Sequence, residues 1–253
     1  MDFYDTMLLK KTNNEDISLL GANSLALKKC LENTLVTITE DMLDGASEIR
    51  VYAFYKCNHL ERVEIPSSVA TIGNHSFRDC TGLEDLIIQQ GVTNIGEAAF
   101  SGCSSLKSLE FPNSVIYIGN NAFINCISVQ KLTLPNNITL ISEGSFCRLT
   151  SLTSVTIPNS VTTIAQSAFK ACSSLKSITF PSSVTNIVSW SFLDCTSLAS
   201  VTVLATTPPT LGTGVFSNTH SNLKIYVPSA SVNAYKAATN WKSYASRIQA
   251  IPS

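Results

Sequence analysis

Cysteine is the residue in this chain best placed to do chemistry, and its spacing decides which chemistry is open. Six of the eight cysteines, Cys57, Cys80, Cys103, Cys126, Cys172 and Cys195, fall on one column with a step of 23 residues, and Leu149 holds the place in the unit that lacks one. A zinc site gathers thiolates and imidazoles at short spacing, such as Cys-x-x-Cys; no such pair and no histidine column occurs here, so no metal site is expected. Leucine cannot replace a ligand, but it can replace a small apolar side chain. The column therefore reads as a buried slot filled by free thiols. Column neighbours in stacked units would lie about 4.8 Å apart, so occasional bridges stay open.

The other reactive types give less. His59, His75 and His220 fall on expected turn or surface positions, and no local motif pairs any of them with a carboxylate. Serines are plentiful, but there is no Gly-x-Ser-x-Gly elbow. No phosphate-cradling glycine loop, paired-metal motif or basic stripe is found, and no cofactor is implied. Catalysis would need a constellation assembled only in space, so the chain is expected not to be an enzyme.

The elements that carry these residues repeat. Phe54, Phe77, Phe100, Phe123, Phe146, Phe169 and Phe192 form one column. Ile49, Ile72, Ile95, Ile118, Ile141, Ile164 and Ile187 form a second, and Pro66, Pro112, Pro135, Pro158 and Pro181 a third. A fixed period in the twenties marks a solenoid, because one such unit cannot bury its apolar side alone and must stack on the next.

Within each unit two alternating apolar residues precede the proline position: Val63 and Ile65, Leu86 and Ile88, Leu109 and Phe111, Leu132 and Leu134, Val155 and Ile157, Ile178 and Phe180. Period-two alternation over so few residues predicts a short strand with one face buried, and stacking predicts a parallel sheet along one side. Val69, Val115, Val161 and Val184 turn the chain inward after it. The Ile-Gly-x-x-Ala-Phe stretch predicts a second short extended or turn segment on the far side. Gln89-Gln90-Gly91 replaces the proline turn once, which predicts a reshaped turn there.

The predicted fold is a β-rich solenoid: a right-handed leucine-rich-repeat coil of 23-residue units, with a parallel sheet on one side and a C-terminal capping helix. Residues 1–34 read as an N-terminal cap or leader, 35–228 as the solenoid and 229–253 as a helical cap. The first coil is degenerate, with Thr39 to Gly45 adding about four residues, and Thr206-Thr207-Pro208-Pro209 adds about one near the end. Val232, Tyr235, Trp241, Tyr244 and Ile248 suit one helical face, with Ser231 as its cap.

Charged residues are 14% of the chain and the formal net charge is -1. That leaves no general attraction for nucleic acid or anionic lipid. No apolar run approaches the roughly 20 residues that span a bilayer. The opening Met-Asp-Phe-Tyr-Asp-Thr-Met-Leu-Leu-Lys-Lys does not read as a secretory signal.

The unit Cys-x-x-Leu-x-x-Leu-x-Ile/Phe-Pro-x-x-Val-x-x-Ile-Gly-x-x-Ala-Phe closely resembles the BspA-like (treponemal-type) leucine-rich repeat, and the Ile-Tyr-Val-Pro-Ser-Ala-Ser-Val-Asn-Ala-Tyr-Lys tail resembles the closing segment that follows such arrays. The resemblance covers about Thr34 to Ile251. It implies extracellular or cell-surface binding and adhesion, with no catalytic residues to carry across. The first eleven residues also resemble the opening of leaderless members encoded by phages, which would imply a virion protein that touches a host.

Binding is then expected on outward strand positions. One column reads Glu64, Ile87, Glu110, Thr133, Thr156, Thr179, Thr202 and Tyr226; its neighbour reads Arg62, Asp85, Ser108, Lys131, Ser154, Ser177, Ser200 and Lys224. The second half is a Ser/Thr lawn, which β propensity alone would also produce. Trp190 stands where other coils have His75, Ala98, Asn121, Gly144 and Ser167, and Tyr117 stands where they have Thr71, Thr163 and Asn186. Such aromatics suit sugar stacking or a protein contact, or in the case of Trp190 packing against the looser last coils. The expected partner is a protein or glycan on a host or neighbouring cell; a structural spacer is the alternative.

Overall fold

The computed structural model describes residues 37–43 and 45–252. The N-terminal cap or leader expected over 1–34 and the phage-like opening lie outside them.

The chain winds into about nine coils of roughly 23 residues. All but one of the coils contribute a strand to a first wall: Thr37–Ile38, Arg62–Ile65, Asp85–Ile88, Ser108–Glu110, Lys131–Thr133, Ser177–Phe180, Ser200–Val203, Lys224–Val227 and finally Ile248–Ala250. Every pairing among them is parallel. The alternation is as the sequence predicts, with Val63, Ile65, Ile178 and Phe180 inward and fully or almost fully buried. The wall is not one uninterrupted sheet. It divides into three ladders, and the coil containing Val155 joins only through an isolated Leu132↔Val155 bridge.

A second wall carries strands of two residues each: Glu48–Ile49, Thr71–Ile72, Asn94–Ile95 and Tyr117–Ile118, then Leu140–Ile141, Thr163–Ile164, Asn186–Ile187 and Thr210–Leu211. The second residue of each, isoleucine in seven and Leu211 in the last, points inward. These form two four-stranded parallel ladders, interrupted between Ile118 and Leu140. At that step Ser142 occupies the place of Gly73, Gly96 and Gly119, and its hydroxyl donates to the Ile118 carbonyl. The rings on either side of the step, Phe123 and Phe146, lie 5.9 Å apart, against 5.0 Å for Phe54–Phe77.

The third wall is a ladder of turns. Amides alternate in target: Ala122 N–H donates within its coil to Gly119, whereas Asn121, Phe123 and Asn125 donate to Glu143, Ser145 and Cys147 of the next coil. The alternation requires two left-handed residues per coil, in the columns of Tyr52, His75, Ala98, Asn121, Gly144, Ser167, Trp190 and Gly214, and of Lys56, Asp79, Gly102, Asn125, Arg148, Ala171, Asp194 and Asn218. Left-handed backbone costs a non-glycine residue roughly 1–2 kcal/mol. It is held here because each such turn also saturates the main chain of its neighbour.

Inside runs one hydrophobic core. Its axis is the phenylalanine column, stacked face to face from Phe54 to Phe216. Beside it the cysteine column has a role that packing alone does not describe. The thiols of Cys80, Cys103, Cys126, Cys172 and Cys195 donate to the carbonyls of Phe54, Phe77, Phe100, Phe146 and Phe169 in the preceding coils. Cys147 is also buried and free. Cys57 is disulfide-bonded, and since the other six described cysteines are free, its partner lies outside the described residues.

Register corrects one insertion and bears out the other. Ile38 pairs with Val63, an offset of 25, so the first coil carries two extra residues rather than about four. Ile187 pairs with Leu211, an offset of 24, which is the single insertion expected at the Pro208-Pro209 turn. Gly91, with φ 124°, makes the reshaped turn that replaces the proline.

The closing segment is not one continuous helix. An α-helix spans only Val232–Ala237, a tight helical turn follows at Trp241–Arg247, and Ile248–Ala250 returns as the last strand of the first wall. Asn240, with φ 64°, separates the two helical pieces. Ser231 does not cap the helix; its hydroxyl donates to the Thr206 carbonyl. Tyr235, Asn240 and Trp241 likewise donate to the carbonyls of Ala205, Leu211 and Pro209, and the Phe216 amide donates to the Tyr244 hydroxyl. Side chains thus satisfy the edge that no further coil covers, which an open solenoid end requires.

Candidate recognition surface

The outward residues of the first wall are in register. Glu64 lies opposite Ile87, Glu110 opposite Thr133, Thr179 opposite Thr202, and Thr202 opposite Tyr226. The first half of this face is paired with itself: Arg62 with Asp85, Lys107 with Glu84, Lys131 with Glu110, and Gln89 Nε2 donating to Glu64. Exposed pairs of this kind contribute little stability, but they use up the charges a partner would read. Ile87 and Tyr226 are half-buried, whereas Glu110 and Thr133 are exposed.

In the second half the hydroxyl lawn dips. A depression of about 430 Å³ is lined by Ser154, Thr156, Asn159, Ser177 and Thr179, with exposed Leu204 at one end. Thr156 and Thr179 of the predicted column are thus brought together in one hollow. Thr202 lies beside Thr179 in the ladder but outside the hollow's lining.

A larger hollow, which the sequence reading did not single out, lies on the second wall. It encloses about 660 Å³ and runs from Glu48, Arg50 and Val51 across Thr71, Asn74 and Asn94 to Tyr117. Its floor is Gly73 and Gly96. A Cβ on Gly73 would stand 2.6 Å from the Ile49 carbonyl oxygen, and one on Gly96 2.5 Å from Asn74 Oδ1, so the local packing of these coils leaves no room for a side chain at either place. The bare floor is a by-product of that packing. Of the residues expected to bind, Tyr117 alone lines this groove, and the residue is 47% exposed.

Trp190 belongs to a different wall. It occupies a left-handed turn position with φ 62° and is 44% exposed. Its ring lies over the next coil's glycine, and a Cβ built on Gly214 would meet Trp190 Cδ1 at 2.9 Å. His75 stands in the same column and stacks on Tyr52 at 4.8 Å. Burial, then the Arg78 charge, lower the His75 pKa from its ordinary value, with Glu97 opposing.

Burial raises the thiol pKa of every free cysteine described, Cys80, Cys126 and Cys195 to about 12. The five column thiols stay protonated and bonded to carbonyls, a state that neither attacks nor ligates. Among the described residues no group of three or more His, Cys, Asp or Glu could hold a metal ion, and no helix is long and apolar enough to cross a membrane.

The repeat matches the family model described as the BspA type leucine rich repeat region, in six copies over residues 23–148 and 117–243. Among solved structures, a leucine rich repeat protein of T. pallidum is 32% identical, with a TM-score of 0.60 over 66% of this chain and 79% of its own. A leucine-rich repeat protein from Bacteroides ovatus is 26% identical, with a TM-score of 0.52 over 71% of this chain and 58% of its own. The chain therefore spans little more than half the length of the Bacteroides protein. No curated protein matches the sequence.

Proposed function

Because the chain belongs to the BspA-type leucine-rich-repeat family, whose general work is protein binding or adhesion, we propose that it is a non-enzymatic recognition module engaging a macromolecule at a cell surface. The observation that carries this reading is the division of labour in the coil. The Ile, Phe and Cys columns, with Leu149 and Leu211 as stand-ins, are spent on the spine, while the outward positions of both walls stand in fixed register with a hollow on each. A face already rigid before contact loses little conformational entropy on binding, so many modest contacts can sum to useful affinity. Thr156 and Thr179 on the first wall and Tyr117 on the second are the residues expected to touch the partner.

The test is binding of the fluorescently labelled chain to intact bacterial and epithelial cells. Wild type is compared with Thr156→Lys/Thr179→Lys, with Tyr117→Ala and with Trp190→Ala. Saturable binding reduced by a first-wall or second-wall variant supports the reading. No saturable binding to any cell would overturn it in favour of a spacer.

A further inference from the structure

The groove of the second wall can be taken further than a general contact surface. We propose that it binds a short neutral oligosaccharide, laid along the stacking axis from Val51 to Tyr117 with one sugar ring against the Tyr117 side chain. This rests on the recognition reading above and names the ligand class for one of its two walls.

Size comes first. At about 660 Å³ the groove lies within the range of ligand sites, and its four outward positions, Glu48, Thr71, Asn94 and Tyr117, span three strand spacings, about 14 Å. That length suits a chain of a few sugar rings, each about as long as one coil is thick.

The main chain of the floor argues against a peptide. Gly73 and Gly96 donate their amides to Ile49 and Ile72, and their carbonyls accept from Ser76 and Ala99. An extended peptide gains its affinity from free backbone groups at a sheet edge, and this floor offers none. Contacts fall to side chains instead.

Charge narrows the ligand again. Glu48 and Arg50 are the acid and the base of the lining, and they lie 4.0 Å from each other at one end. The groove as a whole presents no net charge, which matches a neutral ligand rather than an anionic one. The remaining polar groups are amides and hydroxyls. Asn94, Thr71 and the Tyr117 phenol make no side-chain hydrogen bond to any described residue. Asn74 spends its Oδ1 on the Glu97 amide and keeps its NH₂. Groups of this type both donate and accept, as sugar hydroxyls do. Tyr117 and Val51, each about half exposed at opposite ends, supply apolar surface for the C–H faces of the rings.

The site is confined to the first half of the solenoid. At the places corresponding to Gly73 and Gly96, the middle coils carry Ser142, Ala165 and Val188, and glycine returns only at Gly212, whose coil does not line this groove.

The experiment is calorimetric titration of the full chain with neutral β1,4-linked tetrasaccharides of glucose, mannose and N-acetylglucosamine, and with tetragalacturonate as the charged control. The expected result is one-to-one binding of at least one neutral member. Tyr117→Ala should weaken it about tenfold, and Asn94→Ala should weaken it too, with thermal melting unchanged in both. Lys236→Ala, an exposed position on the closing helix, should bind as wild type. Binding of no neutral member, preference for the charged one, or equal binding by Tyr117→Ala would each overturn the proposal. Cell binding that survives enzymatic removal of surface glycans would sink the sugar while leaving the recognition module standing; loss of all cell binding by wild type sinks the module itself.

Discussion

Three buried hydroxyls make the sharpest test of how the coils are held together. Ser76, Ser145 and Ser191 are 0% exposed and their Oγ atoms have no hydrogen-bond partner. They stand in the column otherwise occupied by Ala53, Ala99, Ala122 and Ala168, beside the phenylalanine spine, so the site accommodates a methyl group without rearrangement. A buried polar group without a partner costs about 1–3 kcal/mol. Ser→Ala at each position should therefore stabilise the chain by about 1 kcal/mol, contrary to the usual direction of core substitution. For a chain of this size, about 1 kcal/mol moves the melting temperature by roughly 2–4 °C. Ser76 and Ser145 are three coils apart and Ser145 and Ser191 two, about 14 and 10 Å, so the gains should add. The triple variant should melt roughly 6–12 °C above wild type. The assay is calorimetric melting of wild type, the three single variants and the triple. A single variant that melts below wild type would show that its hydroxyl has a partner holding coils together, and the account of this column would be wrong.

The other predictions probe the cysteine column, the left-handed wall and the closing cap. Thiols that ionise near pH 9 when unfolded stay protonated to about pH 12 at Cys80, Cys126 and Cys195 when folded. A raised folded-state pKa gives stability that is intact below pH 9 and lost as pH climbs from 9 towards 12, which urea midpoints across that range would show. At pH 8 a soluble disulfide reagent should label the column thiols no faster than the chain opens; labelling within seconds in native buffer would contradict their burial. Gly214→Ala combines φ 64° with a Cβ 2.9 Å from Trp190, and should cost about 1–3 kcal/mol. Adding Trp190→Gly should recover part of that loss, and strict additivity of the two would refute the contact. Trp241→Ala removes a fully buried ring packed near Phe216 and leaves the Pro209 carbonyl bare, so chemical unfolding should register a loss of about 3–5 kcal/mol.

Most of the spine could be read in the chain because stacking forces each column to repeat: Phe54 to Phe192 and Ile49 to Ile187 announce an inward place once per coil. What escaped was set by the backbone. Nothing about Tyr52, Lys56, His75, Arg148 or Trp190 announces a left-handed residue, yet all five adopt that conformation because the turn wall alternates bonds within and between coils. The cysteine column was read as filler, and its second duty, donation to the preceding phenylalanine carbonyl, depends on a contact 26 residues back that no local pattern records. Trp241 and Tyr235 looked like one helical face because they are apolar and suitably spaced; their N–H and O–H groups were claimed by the last coil's carbonyls, which breaks the segment instead. The groove was hidden for a related reason. A search for side chains that could bind favours long strands with outward residues, whereas this hollow is made by Gly73 and Gly96, which the coils need to approach one another. Tyr117 was visible as an oddity in its column. Only the register Thr71↔Asn94↔Tyr117 shows that it ends a trough whose floor is bare because these coils pack closely at Gly73 and Gly96, so a partner fitted to that trough would exploit a space that local packing leaves open.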